Sequence, residues 1–146
     1  MCIRDRDNSY KRPESVLVVV HTASHIMLMK RTDHANFWQS VTGSLEWGEN
    51  PEIAALRELQ EETGIQVSAL RATGITRSYA ILEQWRKRYP PGCERNREHL
   101  FYCYLEHQPE IHLDPSEHTD LLWLDFEQAQ EKVFSWSNRL AIQSLI

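Results

Sequence analysis

Residues 43–65 read GSLEWGENPEIAALRELQEETGI, and the order of residue types in this stretch decides the reading of the chain. The pattern is Gly43, five residues, Glu49, seven residues, then Arg57-Glu58-apolar-x-Glu61-Glu62-x-Gly64-apolar. Its second half carries helix signals. Asn50 suits the N-cap, Pro51 the first helical position, and Gly64 the stop just past the end. On that helix Glu58, Glu61 and Glu62 stand at i, i+3 and i+4, within an arc of roughly 100°. Carboxylates crowded this way repel unless a cation sits between them. Their oxygens are hard ligands, which points to Mg2+ or Mn2+ with water and substrate phosphates completing the shell.

Three glutamates alone are accounted for by a solvated acidic face, with Arg57 and Glu61 as an i, i+4 pair. The full register is not. Seven fixed identities and two apolar positions coincide by chance on the order of once in a billion start positions at background residue frequencies.

The rest of the composition sets bounds. A chain of 146 residues makes one domain with room for a substantial core. Apolar and charged fractions of 41% and 25% are those of a soluble globular protein. The net charge of −5 gives no electrostatic case for nucleic-acid or membrane binding, so an anionic substrate needs metal and local cations. Cys2, Cys93 and Cys103 are odd in number and unpatterned, which suits a reducing cytosol and argues against a disulfide framework or zinc site. No apolar run approaches the ~20 residues that span a bilayer. The first residues, MCIRDRDNSY, lack the apolar segment of a signal peptide. Residues 1–9 read as a disordered or artefactual N-terminus, residues 10–146 as the single domain, and the cytoplasm as its location.

In chain order, Val16–Val20 is a continuous β-branched run, expected as a central strand buried on both faces. Lys11-Arg12-Pro13 before it reads as a solvated basic approach. Ile26–Met29 returns as the partner strand and runs into Lys30-Arg31. Asn36–Gly43 should form a strand delivering Gly43 to the loop, with Phe37 and Trp38 near enough for a planar base to stack. Thr42 is placed to bond a phosphate or base. Strands are expected at 65–68, 75–82, 99–105, 111–113 and 121–124, with a proline- and glycine-marked basic loop between Gln84 and Asn96. Glu117 reads as a surface loop residue, yet the helix supplies ligands from one side only, so a distant carboxylate suits the closing position. A short helix covers 127–133, and a terminal one follows Ser135, capped by a serine or asparagine. Interleaved strands and helices give an α/β/α sandwich around a mixed sheet.

The 43–65 stretch resembles the Nudix box at every defined position. The resemblance implies the Nudix-type α/β/α sandwich and hydrolysis of a nucleoside diphosphate linked to another moiety. It implies that Glu58, Glu61 and Glu62 are the metal-binding and water-activating residues, each a candidate for ligand or base, and that Glu49 and Arg57 form an internal pair. The flanks Lys11-Arg12-Pro13, Phe37–Ser44, Arg88–Gly92, Arg95-Asn96 and Ser135–Arg139 resemble the bacterial dihydroneopterin triphosphate pyrophosphatase branch. That likeness implies Mg2+-dependent release of pyrophosphate to leave the monophosphate, in folate biosynthesis. By position it assigns substrate contacts to Lys11, Lys30 or Arg31, Thr42, Tyr79 and Ser135, and a metal-ligand role to Glu117. The alternative is a nucleoside triphosphate pyrophosphatase acting on dATP or oxidised nucleotides. A third reading, a non-catalytic nucleotide sensor, conflicts with the intact set of box carboxylates.

Overall fold

The computed structural model describes residues 9–146; of the N-terminal segment expected at 1–9, residues 1–8 lie outside them. The chain runs β1 (Glu14–His21), β2 (His25–Arg31), β3 (Trp38–Gln39), β4 (Val41–Ser44), α1 (Pro51–Thr63), β5 (Arg71–Ala80), β6 (Arg95–Tyr104), β7 (His118–Asp125), α2 (Phe126–Lys132) and α3 (Trp136–Gln143). The centre is the valine-rich run. Val16 to Val20 are all within 2% of complete burial, because successive side chains alternate between two covered faces. Val16, Val18 and Val20 meet Ala54, Ala55 and Leu59 of α1 on one face. Leu17 and Val19 meet Ala129, Ala141 and Ile142 of α2 and α3 on the other. The molecule is therefore the expected α/β/α sandwich.

The sheet is mixed, in the order β3-β2-β1-β6-β5, with β4 also on β1 and β7 also on β2. Strands β1 and β6 are parallel over their whole length, and every other pair is antiparallel. Along its other edge β1 serves two partners. Ser15–Val18 pair with β4, and only His21 pairs with β2. This division sets Gly43 opposite Val16 and delivers the loop that follows to the mouth of the sandwich.

Several expected strands differ. Residues 65–68 are irregular and strand β5 begins only at Arg71, because Ile65 and Val67 bury their side chains against the α1-side core without a sheet partner. Residues 111–113 do likewise: Ile111 and Leu113 pack on the same core, and the His112 amide donates to the Thr63 carbonyl. Part of the expected basic loop is a short 3₁₀ helix at Glu83–Arg88. Strand β6 starts at Arg95, four residues earlier than its apolar density suggested, because the polar residues at its start face a cleft. Cys93 is disulfide-bonded, against expectation, whereas Cys103 is a free buried thiol whose pKa burial pushes up to about 11. Among the described residues no helix is long and apolar enough to cross a membrane.

Helix α1 is held chiefly by Leu59, fully buried between the sheet and its neighbours. Truncation there removes apolar contacts and leaves a cavity. Leu59→Ala should lower the unfolding free energy by about 2–5 kcal/mol in a urea titration; a change within the error of the wild type would mean that α1 does not depend on this core contact.

Candidate active site

The helix that carries the glutamates is fixed at both ends. The Asn50 side chain accepts from the Ile53 amide at 2.9 Å, Pro51 opens the first turn, and Gly64 ends it at φ 81°, a left-handed conformation that glycine adopts without strain. Exposure then separates the three carboxylates. Glu62 lies on the buried stripe with Leu59 and is 3% exposed, and the Glu58 side chain is 12% exposed. The Glu61 side chain is 56% exposed, with the Arg57 guanidinium 3.2 Å away. Spacing alone puts all three on one face, but only Glu58 and Glu62 line the cleft.

A charged network ties the loop to the helix. Arg57 donates from Nε and Nη2 to the two Glu49 carboxylate oxygens, at 2.9 and 2.8 Å, and from Nη2 to the Ser44 carbonyl. Glu49 also accepts from the Glu46 amide, closing the turn. The Arg57 bonds hold the Glu49 carboxyl below its ordinary pKa. Arg12, expected as a solvated basic residue, lies under this loop. Its Nη1 donates to the carbonyls of Glu46 and Glu49, and its Nη2 to Glu14. Glu14 in turn meets the His99 ring at 2.5 Å. No sequence motif marks Arg12 for this role; it depends on where the first strand enters the sheet.

Glu58 and Glu62 are charged groups in a poor environment for charge. Burial pushes the pKa of Glu58 up to about 8; Glu61 and Glu117 add to the rise, and Arg57 opposes it. Burial also raises Glu62 well above the carboxylate range, followed by repulsion from Glu58 and Glu117. The Glu62 carboxylate meets the Thr42 backbone, yet its Oε1 has no hydrogen-bond partner. A buried orphan acceptor flanked by like charges is a costly arrangement that a cation would relieve. The donor set is carboxylate oxygen only, the kind that Mg2+ and Mn2+ take. Among the described residues, no three acidic, histidine or cysteine side chains stand close enough together to hold a metal unaided.

Gly43 makes room for this arrangement. A Cβ built on it would lie 1.5 Å from Oε2 of Glu58, so the carboxylate occupies the space that any other residue would fill.

The cleft, about 700 Å³, is cationic near the glutamates. Lys11, Arg31 and Arg88 line it. Burial lowers the Lys11 pKa, and the charges of Arg88 and Arg31 lower it further, against Glu58 and Glu117. Arg31 forms a double hydrogen bond to Asp33, at 2.8 and 2.7 Å, and lies over the Trp85 and Phe37 rings. Lys30 is a correction. It pairs with Asp120 at 3.1 Å and does not line the cleft; the β2–β7 register shifts between Lys30 and Arg31, and Arg31 is the one that enters. Glu117 does line the cleft, on a turn fixed by bonds from the Glu117 and His118 amides to the Asp114 carbonyl and from the Thr32 amide to the Glu117 carbonyl. His118 beside it is buried, which lowers its pKa to about 4 and keeps the ring neutral at pH 7.

The far end of the cleft is polar without being cationic. Thr42 donates its hydroxyl proton to the Val16 carbonyl, so it offers a ligand only an acceptor. Ser135 caps α3 by accepting from the Asn138 amide at 3.1 Å. Asn138 locks that helix to the sheet: its Oδ1 accepts from the Ser40 amide, and its Nδ2 donates to the Ser40 hydroxyl. Tyr79, Asn96, Glu98 and Ser15 complete this wall. Of the two aromatic residues expected near the site, Phe37 lines the cleft, while Trp38 packs in the core on the α2–α3 side. Glu98 carries no motif, and a strand taken to begin at His99 leaves it outside. Residues 95–99 read Arg-Asn-Arg-Glu-His, polar throughout, so no local periodicity marks Asn96 and Glu98 as the inward pair.

Gly43→Ala should leave the fold melting cooperatively and reduce the turnover number by roughly 10²-fold, the scale of a displaced catalytic group. Turnover within threefold of the wild type would show that Glu58 does not need this space.

Residues 11–145 match the family model for the NUDIX domain. The dihydroneopterin triphosphate diphosphatase of Escherichia coli K12 is 41% identical over an alignment of 147 residues, covering 97% of each chain. Its namesake in Haemophilus influenzae is 34% identical, over 94% of this chain and 89% of the other. The solved E. coli dihydroneopterin triphosphate pyrophosphohydrolase superposes with a TM-score of 0.86 at 40% identity, covering 92% of this chain and 95% of that one. With the box carboxylates in a cationic cleft and a family match over almost all of its length, this chain belongs to the NUDIX family of hydrolases.

Proposed function

We propose that this protein is a divalent-cation-dependent pyrophosphohydrolase that converts dihydroneopterin triphosphate to the monophosphate and pyrophosphate. The observation that carries the reading is the buried Glu58–Glu62 pair, one oxygen of it orphaned, in a cleft lined by Lys11, Arg31 and Arg88 and, elsewhere, by Tyr79, Asn96 and Glu98. The names of the two bacterial relatives support the choice of substrate.

Glu58, Glu62 and Glu117 are the residues that would hold Mg2+ or Mn2+. When bound, such a cation neutralises charge developing on the phosphate oxygens and acidifies water. Lys11, Arg31 and Arg88 bind the polyphosphate, and the stacking of Arg31 on Trp85 and its bonds to Asp33 keep it aimed. A box carboxylate takes the proton of the attacking water, and the bond between the bridging oxygen and the attacked α- or β-phosphorus breaks to leave the monophosphate and pyrophosphate. Glu61 acts from the rim, where it helps Arg57 to hold Glu49 and the loop. Thr42, beside Glu62, and Ser135, at the start of α3, also contact the substrate. Tyr79 contacts it through the wall it shares with Asn96 and Glu98.

The alternative is a pyrophosphatase of purine nucleoside triphosphates, which share the planar heterocycle and triphosphate. A substrate panel decides between them. The expected kcat/KM for dihydroneopterin triphosphate exceeds that for dATP by at least about tenfold, since one or two lost polar contacts in a buried pocket account for that much. Products should be pyrophosphate and the monophosphate, with activity abolished by EDTA and restored by Mg2+ or Mn2+. Equal efficiency on both substrates would favour the purine reading. Orthophosphate release, or full activity after thorough chelation, would overturn the mechanism.

A further inference from the structure

Asn96 and Glu98 stand two apart on β6, so their side chains share a face, and both are nearly buried, at 2% and 5% exposure. Strand register brings Tyr79 of β5 beside Asn96 and Ser15 of β1 beside Glu98. The hydrogen-bond directions in this group are fixed by its members. The Tyr79 hydroxyl donates to Oε2 of Glu98, so its oxygen must accept, and the Asn96 amide nitrogen donates to it at 3.1 Å and to Ser15 at 2.7 Å. That leaves Asn96 Oδ1 turned the other way. It is buried and has no partner. A carboxylate accepts up to about four hydrogen bonds, and Glu98 has capacity beyond its bonds from Tyr79 and Ser137. Both residues line the cleft, and the side-chain atoms they leave without a donor are acceptors, with Arg77 as the charge that partly balances Glu98. The half-exposed Trp136, edge-on to Tyr79, adds an aromatic surface at the same end.

An all-acceptor edge wants a ligand edge made of adjacent donors. We infer that Glu98 and Asn96 are specificity-determining residues that read the neighbouring N3–H and 2-amino groups of a 2-amino-4-oxo pyrimidine ring. This rests on the proposed hydrolysis of a heterocyclic triphosphate, whose phosphates occupy the Lys11–Arg31–Arg88 end. The pterin ring carries that edge, and so does guanine. Adenine presents an amino group beside an unprotonated ring nitrogen, and that nitrogen would face an acceptor with no proton between them. Rejection follows from the unpaired buried groups rather than from shape. The orphaned Oδ1 gains its partner only when the correct ring arrives. Burial raises the Glu98 pKa, while the bonds from Ser137 and Tyr79 and the charge of Arg77 favour the ionised form, which only accepts.

The test compares dihydroneopterin triphosphate, dGTP and dATP on the wild type, Glu98→Gln and Asn96→Ala, each with Mg2+. The readout is the ratio of kcat/KM values, which cancels any inactive fraction of a variant. Both 2-amino-4-oxo substrates should be preferred to dATP by the wild type. Glu98→Gln should cut both ratios by roughly tenfold or more, mainly through KM, since an amide nitrogen now opposes the donors. Asn96→Ala should lower them in the same direction. Unchanged ratios in both variants would overturn the inference while leaving the proposed hydrolysis intact. No turnover of dihydroneopterin triphosphate by the wild type, with dGTP still preferred over dATP and the preference lost in Glu98→Gln, would overturn the pterin reading and keep this one.

Discussion

Two carboxylates packed side by side out of water, Glu58 and Glu62, are the constraint around which the other features of this molecule are arranged. Burial disfavours their charged forms, and each disfavours the other's. Left to relax, such side chains would rotate into solvent, as Glu61 does one turn away. They are kept inward because Leu59 fixes the face of α1 against the sheet and because Gly43 leaves a hole where a side chain would stand. The loop before the helix cannot fold back over them, since Arg57 clamps Glu49 from one side and Arg12 holds its carbonyls from the other. A cation bound there would favour the ionised forms of both carboxyls, so its binding would release protons.

The cleft has two ends with different chemistry. Near the carboxylates it offers Lys11, Arg31 and Arg88; burial and then the two arginine charges make Lys11 easier to deprotonate. At the other end Tyr79, Asn96 and Glu98 offer acceptors and few donors. A ligand with phosphates at one end and ring N–H groups at the other satisfies both. The first end belongs to a reaction shared by many pyrophosphohydrolases; the second is where one ring is told from another.

Much of this was legible in residues 43–65. Asn50, Pro51 and Gly64 mark the ends of α1 by local rules, so the helix follows from sequence, and its spacing brings the glutamates together. The valine run gives the central strand for the same kind of reason. Other features depend on long-range packing and leave little local trace. The exposure of Glu61 relative to Glu62 is set by what α1 packs on. The choice between Lys30 and Arg31 turns on which face of β2 meets the cleft. Arg12 looks like any basic residue before a strand until the loop at Glu46–Glu49 is laid over it. Residues 65–68 and 111–113 have strand-like composition, yet their apolar side chains were buried by the core without a partner strand, an outcome that pattern alone does not separate from pairing.

The most direct test of the central claim is thermal unfolding of the metal-free protein and of Glu62→Gln, each titrated with MgCl2. If the buried carboxylates are the cation site, the wild-type midpoint rises with Mg2+ concentration by mass action. Metal-free Glu62→Gln, which lacks one of the two buried charges, melts at or above the metal-free wild type and responds little to Mg2+. A wild-type midpoint indifferent to Mg2+, or an equal rise in the variant, would contradict the account.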